Sequence, residues 1–347
     1  MRRSWLALAV VLVVIAVAAP LVVAFHGDEP AIPQVVVAPG HDNFAVVHRA
    51  GGIAGGTTVR WVATPGFPWL EREAVQRDAL RDLAPGSAVD VGGATLHVPA
   101  ADHLRVVFVG DTGEGPDAER VLAEAAAQKP DLVVHVGDVA YADGDERRWD
   151  HWMDLVATAL PGVPIAYATG NHDVSTPLDV AQMESLRGGA TYYSFDAGPV
   201  HVVVLDSNAV SDSQARWLDQ DLGAAQAAGA RWIVPVEHHP WYSSGKTHGS
   251  LAAARDAFTP IFARHGVKLA VAGHEHNYER TSAIEGVTYV VTGGGGAALY
   301  DDFQTSPPSW SAVRHEGHEL LLVDFTEQGA QAKALAPDGS TVDSFGV

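Results

Sequence analysis

The chain contains no cysteine. That absence excludes disulfides, zinc–thiolate sites, iron–sulfur clusters and lipid attachment through cysteine. It suits an exported protein that relies on its core. Positive charge is also scarce: 22 Lys and Arg stand against 42 Asp and Glu, a formal net charge of −20. Such a balance argues against nucleic acid as a general partner and against an anionic membrane surface. An anionic substrate must then be drawn in by local positive charge, and bound metal cations are often the largest local charges in a site. Low-complexity tracts are few and the composition is that of a globular protein. A length of 347 residues allows two domains, or one large one with an appendage.

One long uncharged run is present. Trp5 to Phe25 follows Arg2 and Arg3 and is long enough to cross a bilayer as a helix. Two readings compete for residues 1–25. A secretory signal would be cut after a small residue such as Ala18 or Ala24. A retained anchor would keep Arg2 and Arg3 inside and attach the protein to the membrane through residues 5–25. The Arg2-Arg3-Ser4-Trp5-Leu6 start also shares the paired arginines of a twin-arginine export signal. Each reading expects an extracytoplasmic protein, secreted or anchored to the outer face of the cell membrane.

Residues 26–103 read as a separate β-rich segment. Strands are expected at residues 34–38, 57–62 and 94–98, with a turn at Leu83-Ala84-Pro85-Gly86-Ser87. Residues 71–83 fit a helix as well as a strand. From Leu104 the pattern becomes strand–helix alternation, with Asp117–Gln128, Glu146–Leu160, Asp212–Ala228 and Leu251–His265 as helices. Gln182–Gly189 reads as less regular, and Leu320–Phe325 as the closing strand. Alternation of this kind implies an α/β domain with a buried sheet, whose ligand sites gather at strand carboxyl ends.

Five polar clusters occupy those ends: Gly110-Asp111-Thr112-Gly113, Gly137-Asp138-Val139-Ala140-Tyr141, Gly170-Asn171-His172-Asp173, Glu237-His238-His239 and Gly273-His274-Glu275-His276. A sixth, Thr247-His248, is weaker. A lone aspartate at a strand end is most often a helix cap. Two in parallel, with histidines to match, point to cations, and one carboxylate can bridge two of them. Tyr141 offers a hard phenolate whose pKa of about 10 a metal depresses. Asn171 offers a neutral amide oxygen, and His172 a contact to a phosphate oxygen or leaving group that Asp173 would orient. His238, His274 and His276 supply imidazoles, and this donor set suits iron, zinc or manganese. The Gly293–Gly296 run lacks the Lys-Ser/Thr of a P-loop, and reads as backbone passing close beneath the metal site.

On these motifs the chain resembles the calcineurin-like metallophosphoesterases, and among them the purple acid phosphatases. The shared elements are G-D-x-G at Asp111, G-D-x-x-Y at Asp138 and Tyr141, G-N-H-[DE] at Asn171 and His172, and G-H-x-H at His274 and His276. The resemblance runs from about Leu104 to the C-terminus and implies a metallophosphoesterase domain over 104–347. That fold has β-sheets sandwiched by helices, with the metal site at strand carboxyl ends. It also implies that residues 26–103 are a shortened fibronectin-like module. Carried across position by position, it implies iron(III) on Asp111, Asp138, Tyr141 and His276. A divalent iron, zinc or manganese ion would sit on Asp138, Asn171, His238 and His274, with Asp138 bridging. Asn171, His172 and His248 would contact substrate. The proton for the leaving alcohol would come from His172, His248 or solvent, Thr247 standing where plant members carry another histidine. Pro235 replaces the family's usual valine and implies an edge or a distortion in its strand.

The expected activity is hydrolysis of a small phosphate monoester by water ionised between two cations about 3.5–4 Å apart. A phosphodiesterase or nucleotidase with the same centre is the first rival, and a catalytically weak cell-surface binding protein the second. Substrate and oligomeric state are not written in the motifs.

Overall fold

Runs such as Leu104-Arg105-Val106-Val107-Phe108-Val109 bury both faces, so they cannot form a sheet with one side in water. In the computed structural model, Leu104, Val106 and Phe108 face one core while Val107 and Val109 face another. The structure describes residues 34–37, 40–41, 44–49, 59–60, 75–80, 83–91, 93–300 and 303–347. The uncharged run of residues 5–25 lies outside them. No helix among the described residues is long and apolar enough to cross a membrane.

Two sheets pack face to face and helices cover their outer sides. The first sheet carries His103–Val109, Leu132–His135 and Ile165–Tyr167 in parallel at its centre. The second carries Val200–Val204, Trp232–Val236, Leu269–Ala272 and Thr288–Thr292, also in parallel. Between them lie Leu104, Val106, Phe108, Val202, Val204, Val234, Val236 and Val271, all at most 1% exposed. Each such side chain contributes roughly 1.5–3 kcal/mol. Helices Pro116–Ala127 and Glu146–Ala159 cover the first sheet through Val121, Leu122, Trp149 and Trp152. Helices Asp212–Ala228 and Ala252–Arg264 cover the second through Leu218, Leu222, Phe258 and Phe262. This is the expected sandwich, with parallel strands delivering their carboxyl ends to one rim.

Several boundaries differ from expectation. Residues 75–80 form a strand, Val75–Leu80, because pairing with Phe44–Arg49 overrides the local helical pattern. Residues 34–37, 44–49, 59–60 and 75–80 continue the first sheet, joined to it at Val36↔Ile165. The fibronectin-like module is therefore not confirmed. The stretch read as less regular is helix Pro177–Arg187, fixed by a Thr176–Asp179 capping box. Buried Asp179 and Arg187 mask its apolar stripe. Two strands, Ala330–Leu335 and Thr341–Gly346, follow Leu320–Thr326 and extend the sheet. Pro235 lies in an interior strand, but the ladder to Leu269–Ala272 is confined to Val236↔Val271, one residue past it. The missing N–H thus falls where pairing on that side has not begun.

At the opposite end of the second sheet, His201 is 5% exposed and stands between two carboxylates. Nδ1 lies 2.6 Å from Asp196 and Nε2 3.0 Å from Asp221, which also accepts from Ser194 at 2.7 Å. Burial lowers the imidazole pKa, but the two carboxylates outweigh it and push the pKa up to about 9. A raised folded-state pKa contributes stability that is fully present below the unfolded value of about 6.5 and lost as pH rises. Denaturant midpoints measured from pH 7 to 10 are expected to fall through about pH 9, and His201→Asn to flatten that fall. A wild-type profile that matches the variant's would contradict the ion-pair account.

Candidate metal centre

The five clusters meet at one rim because each starts within four residues of a parallel strand's end. Asp111, Asp138, Tyr141 and His274 all adopt left-handed backbone, with φ of 57°, 53°, 48° and 71°. Each such non-glycine residue costs about 1–3 kcal/mol, and such residues concentrate at functional sites. Gly137 (φ 98°) provides the turn before Asp138, and a side chain on it would press on His238 Nδ1 at 2.6 Å. Gly110 serves close packing instead: a Cβ there would meet Val136 Cγ2 at 2.6 Å. Gly293 passes directly under the centre, where a Cβ would stand 2.9 Å from Asp111 Oδ2.

Two groups of donors result. In the first, the Tyr141 hydroxyl lies 3.1 Å from Asp111 Oδ1 and 2.8 Å from His276 Nε2, which is 3.5 Å from Asp111 Oδ1. In the second, His238 Nε2 lies 3.1 Å from Asn171 Oδ1, 3.4 Å from Asp138 Oδ2 and 3.0 Å from His274 Nδ1. Asp111, Asp138 and His238 join the groups, with one ligand atom from each inside 4.8 Å.

The outer nitrogens fix what the inner ones do. His238 Nδ1 faces the Val136 carbonyl at 3.0 Å and His276 Nδ1 the Ala298 carbonyl at 2.6 Å. A carbonyl only accepts, so both Nδ1 atoms carry hydrogen and both Nε2 lone pairs point inward. Each inner group is thus a convergence of acceptors that needs protons or cations between them, and the oxygen and imidazole donors fit hard or borderline metals. The charge pattern agrees. Burial opposes it, yet Asp138 and Asp111 push His238 up to about 9, and Asp111 likewise raises His276. His274 moves the other way, to about 2, through burial and the charges of His238, His239 and His248. Burial and the charges of Asp111 and Asp138 raise the Tyr141 phenol, which a cation would reverse.

The surrounding residues hold this geometry. Asp173 does not orient His172; its carboxylate accepts from the backbone N–H of Asp138, Val139 and Gly170 at 2.8–2.9 Å. It therefore pins the Asp138 turn to the Asn171 loop. The His172 ring packs on Tyr141 at 4.7 Å, with Nδ1 3.3 Å from Asp143, a partner the motif pattern did not suggest. Asp138 Oδ1 accepts from His172 N at 2.9 Å. Thr112 Oγ1 lies 2.9 Å from His135 Nε2 and donates to the Val139 carbonyl at 2.8 Å, tying the two aspartate turns together. His248 does reach the centre: its ring packs on His274 at 4.1 Å. His239, which the sequence pattern gives no role, also packs on the His274 ring, at 4.2 Å, with one nitrogen in a metal-sized cluster with His238 and His274. Tyr300, stacked on His276 at 4.2 Å and 8°, had no sequence signal because its neighbours are ordinary loop residues.

The calcineurin-like phosphoesterase family model matches residues 104–278, half of the chain. Purple acid phosphatase 21 of Arabidopsis thaliana is 31% identical over 223 residues, 57% of this chain and 51% of the relative. The Fe(3+)-Zn(2+) purple acid phosphatase 12 of the same plant is 25% identical over 263 residues, 62% of this chain and 56% of the relative. The chain spans about half the length of the curated relatives it matches. Among solved structures, the purple acid phosphatase PPD1 from yellow lupin seeds superposes with a TM-score of 0.79 at 18% identity. That match covers 92% of this chain and 74% of the lupin chain.

Proposed function

This chain belongs to the calcineurin-like phosphoesterase family, and we propose that it hydrolyses small phosphate monoesters at a two-metal centre. The observation that carries the reading is the inward aim of His238 Nε2 and His276 Nε2 at carboxylate, amide and phenol oxygens. Asp111, Asp138, Tyr141 and His276 would hold iron(III). Asp138, Asn171, His238 and His274 would hold a divalent iron, zinc or manganese ion. When bound, the pair supplies Lewis acidity toward the phosphoryl oxygens and makes water a stronger acid at neutral or lower pH. Residues 104–347 form the catalytic domain in this reading.

The chain's own groups supply the rest. Asp138 is fixed at both ends, its N–H by Asp173 and its carboxylate by the His172 N–H. His172 directs Nδ1 at Asp143, and in its imidazolium form Nε2 would donate to a phosphate oxygen. His248 lies exposed at the mouth beside His274, placed to protonate the departing alcohol. The net charge of −20 would repel an anionic ester, so binding depends on the centre carrying its cations.

Paired assays on an aryl phosphate monoester and the matching bis-aryl diester test this. The expected result is faster monoester turnover that vanishes with chelation. Diester preference would move the assignment to a phosphodiesterase. No hydrolysis by metal-replete protein would overturn the enzyme reading.

A further inference from the structure

Glu275 stands between two of the inward-facing histidines, yet it does not face the centre with them. It is fully buried, and its Oε1 accepts from the backbone N–H of His248 at 3.0 Å and from that of Gly249. The loop closes tightly around this carboxylate, since a side chain at Gly245 would run into it. The same loop is anchored once more by buried Glu279, which accepts from Ser244 N at 2.6 Å and Ser244 Oγ at 2.5 Å. His248, carried by the loop, packs on His274 and lies 3.4 Å through Nε2 from the Tyr300 hydroxyl. Tyr300 in turn stacks on His276 and donates its N–H to the His276 carbonyl at 3.1 Å. His248 and Tyr300 thus form a rim over His274 and His276, and both are held from the turn that contains those histidines.

We infer that Glu275 is a positioning residue that locks the His248 loop to the metal-binding turn, so that the rim contacting the leaving group of the ester is set by the same turn that carries His274 and His276. The physical basis is hydrogen bonding to a buried acceptor, whose removal leaves two backbone N–H groups unsatisfied. This extends the phosphoesterase reading, because the rim's role as a leaving-group contact rests on it.

The test uses the full metal-loaded chain with Glu275→Ala and Glu275→Gln. In Glu275→Ala, amide hydrogen exchange at His248 and Gly249 is expected to quicken by about tenfold or more. Metal content should stay at the wild-type level. The value of kcat/KM for an aryl phosphate should fall about tenfold, chiefly through kcat. Glu275→Gln, which keeps an oxygen acceptor, should recover most of both effects. In a His248→Ala background, adding Glu275→Ala should cost little further kcat/KM, because the two act through one contact. Unchanged exchange at the two amides, or a full kcat/KM penalty that persists without the His248 side chain, would overturn the inference. Exchange and metal content are read without turnover, so failure of the ester-hydrolysis reading would be seen separately from failure of the loop lock.

Discussion

Asp138→Ala is expected to release both metals and to lower monoester turnover by at least about 10³-fold, because the proposed centre shares the Asp138 carboxylate between its two cations. Asp138 Oδ2 lies 3.4 Å from His238 Nε2, while one of its oxygens clusters with Asp111 inside 4.8 Å. Burial works against ionisation there, but the His238 charge and the His172 N–H hold the carboxyl well below the usual range. It is therefore an anion ready for cations rather than a group that must first lose a proton. Alanine at φ 53° adds backbone strain of about 1–2 kcal/mol, so Asp138→Asn is the cleaner companion. Asparagine tolerates that conformation and keeps the shape while removing the charge. Metal analysis beside circular dichroism separates the outcomes. A folded variant that retains both metals would refute the bridging role.

Tyr141→Phe is expected to abolish visible absorption entirely while leaving the fold and the phenyl contact with His172 in place. The hydroxyl is the atom between Asp111 Oδ1 and His276 Nε2, and in the proposed centre its phenolate on iron(III) would be the source of a visible charge-transfer band. The ring itself packs on His172 at 4.7 Å, a contact phenylalanine reproduces. Both variants should be compared by spectrum and by metal content. A band that survives Tyr141→Phe would take the tyrosine off the metal.

The core of this centre was legible because strand periodicity and ligand placement coincide. Valine-rich runs fix where parallel strands end, and Asp111, Asp138, Asn171, His238 and His274 follow those ends directly. What periodicity cannot express is direction. Asp173 follows His172 in sequence, yet its side chain turns back to three amides, leaving His172 to Asp143. Glu275 was read only as the spacer in G-H-x-H, since its partners lie in a loop whose contacts depend on the tertiary fold. Residues 71–83 fit helix and strand alike for a related reason: the strand Val75–Leu80 is decided by pairing with distant residues. Helix Pro177–Arg187 was missed because Asp179 and Arg187 are buried polar residues that interrupt its apolar stripe.

Metal analysis with a visible spectrum, on unmodified protein purified without added chelator, tests the central claim most directly. About two metals per chain and a broad band in the green-to-yellow range are the predicted result. A chain that takes up no metal after reconstitution with iron and zinc would contradict the two-cation centre outright.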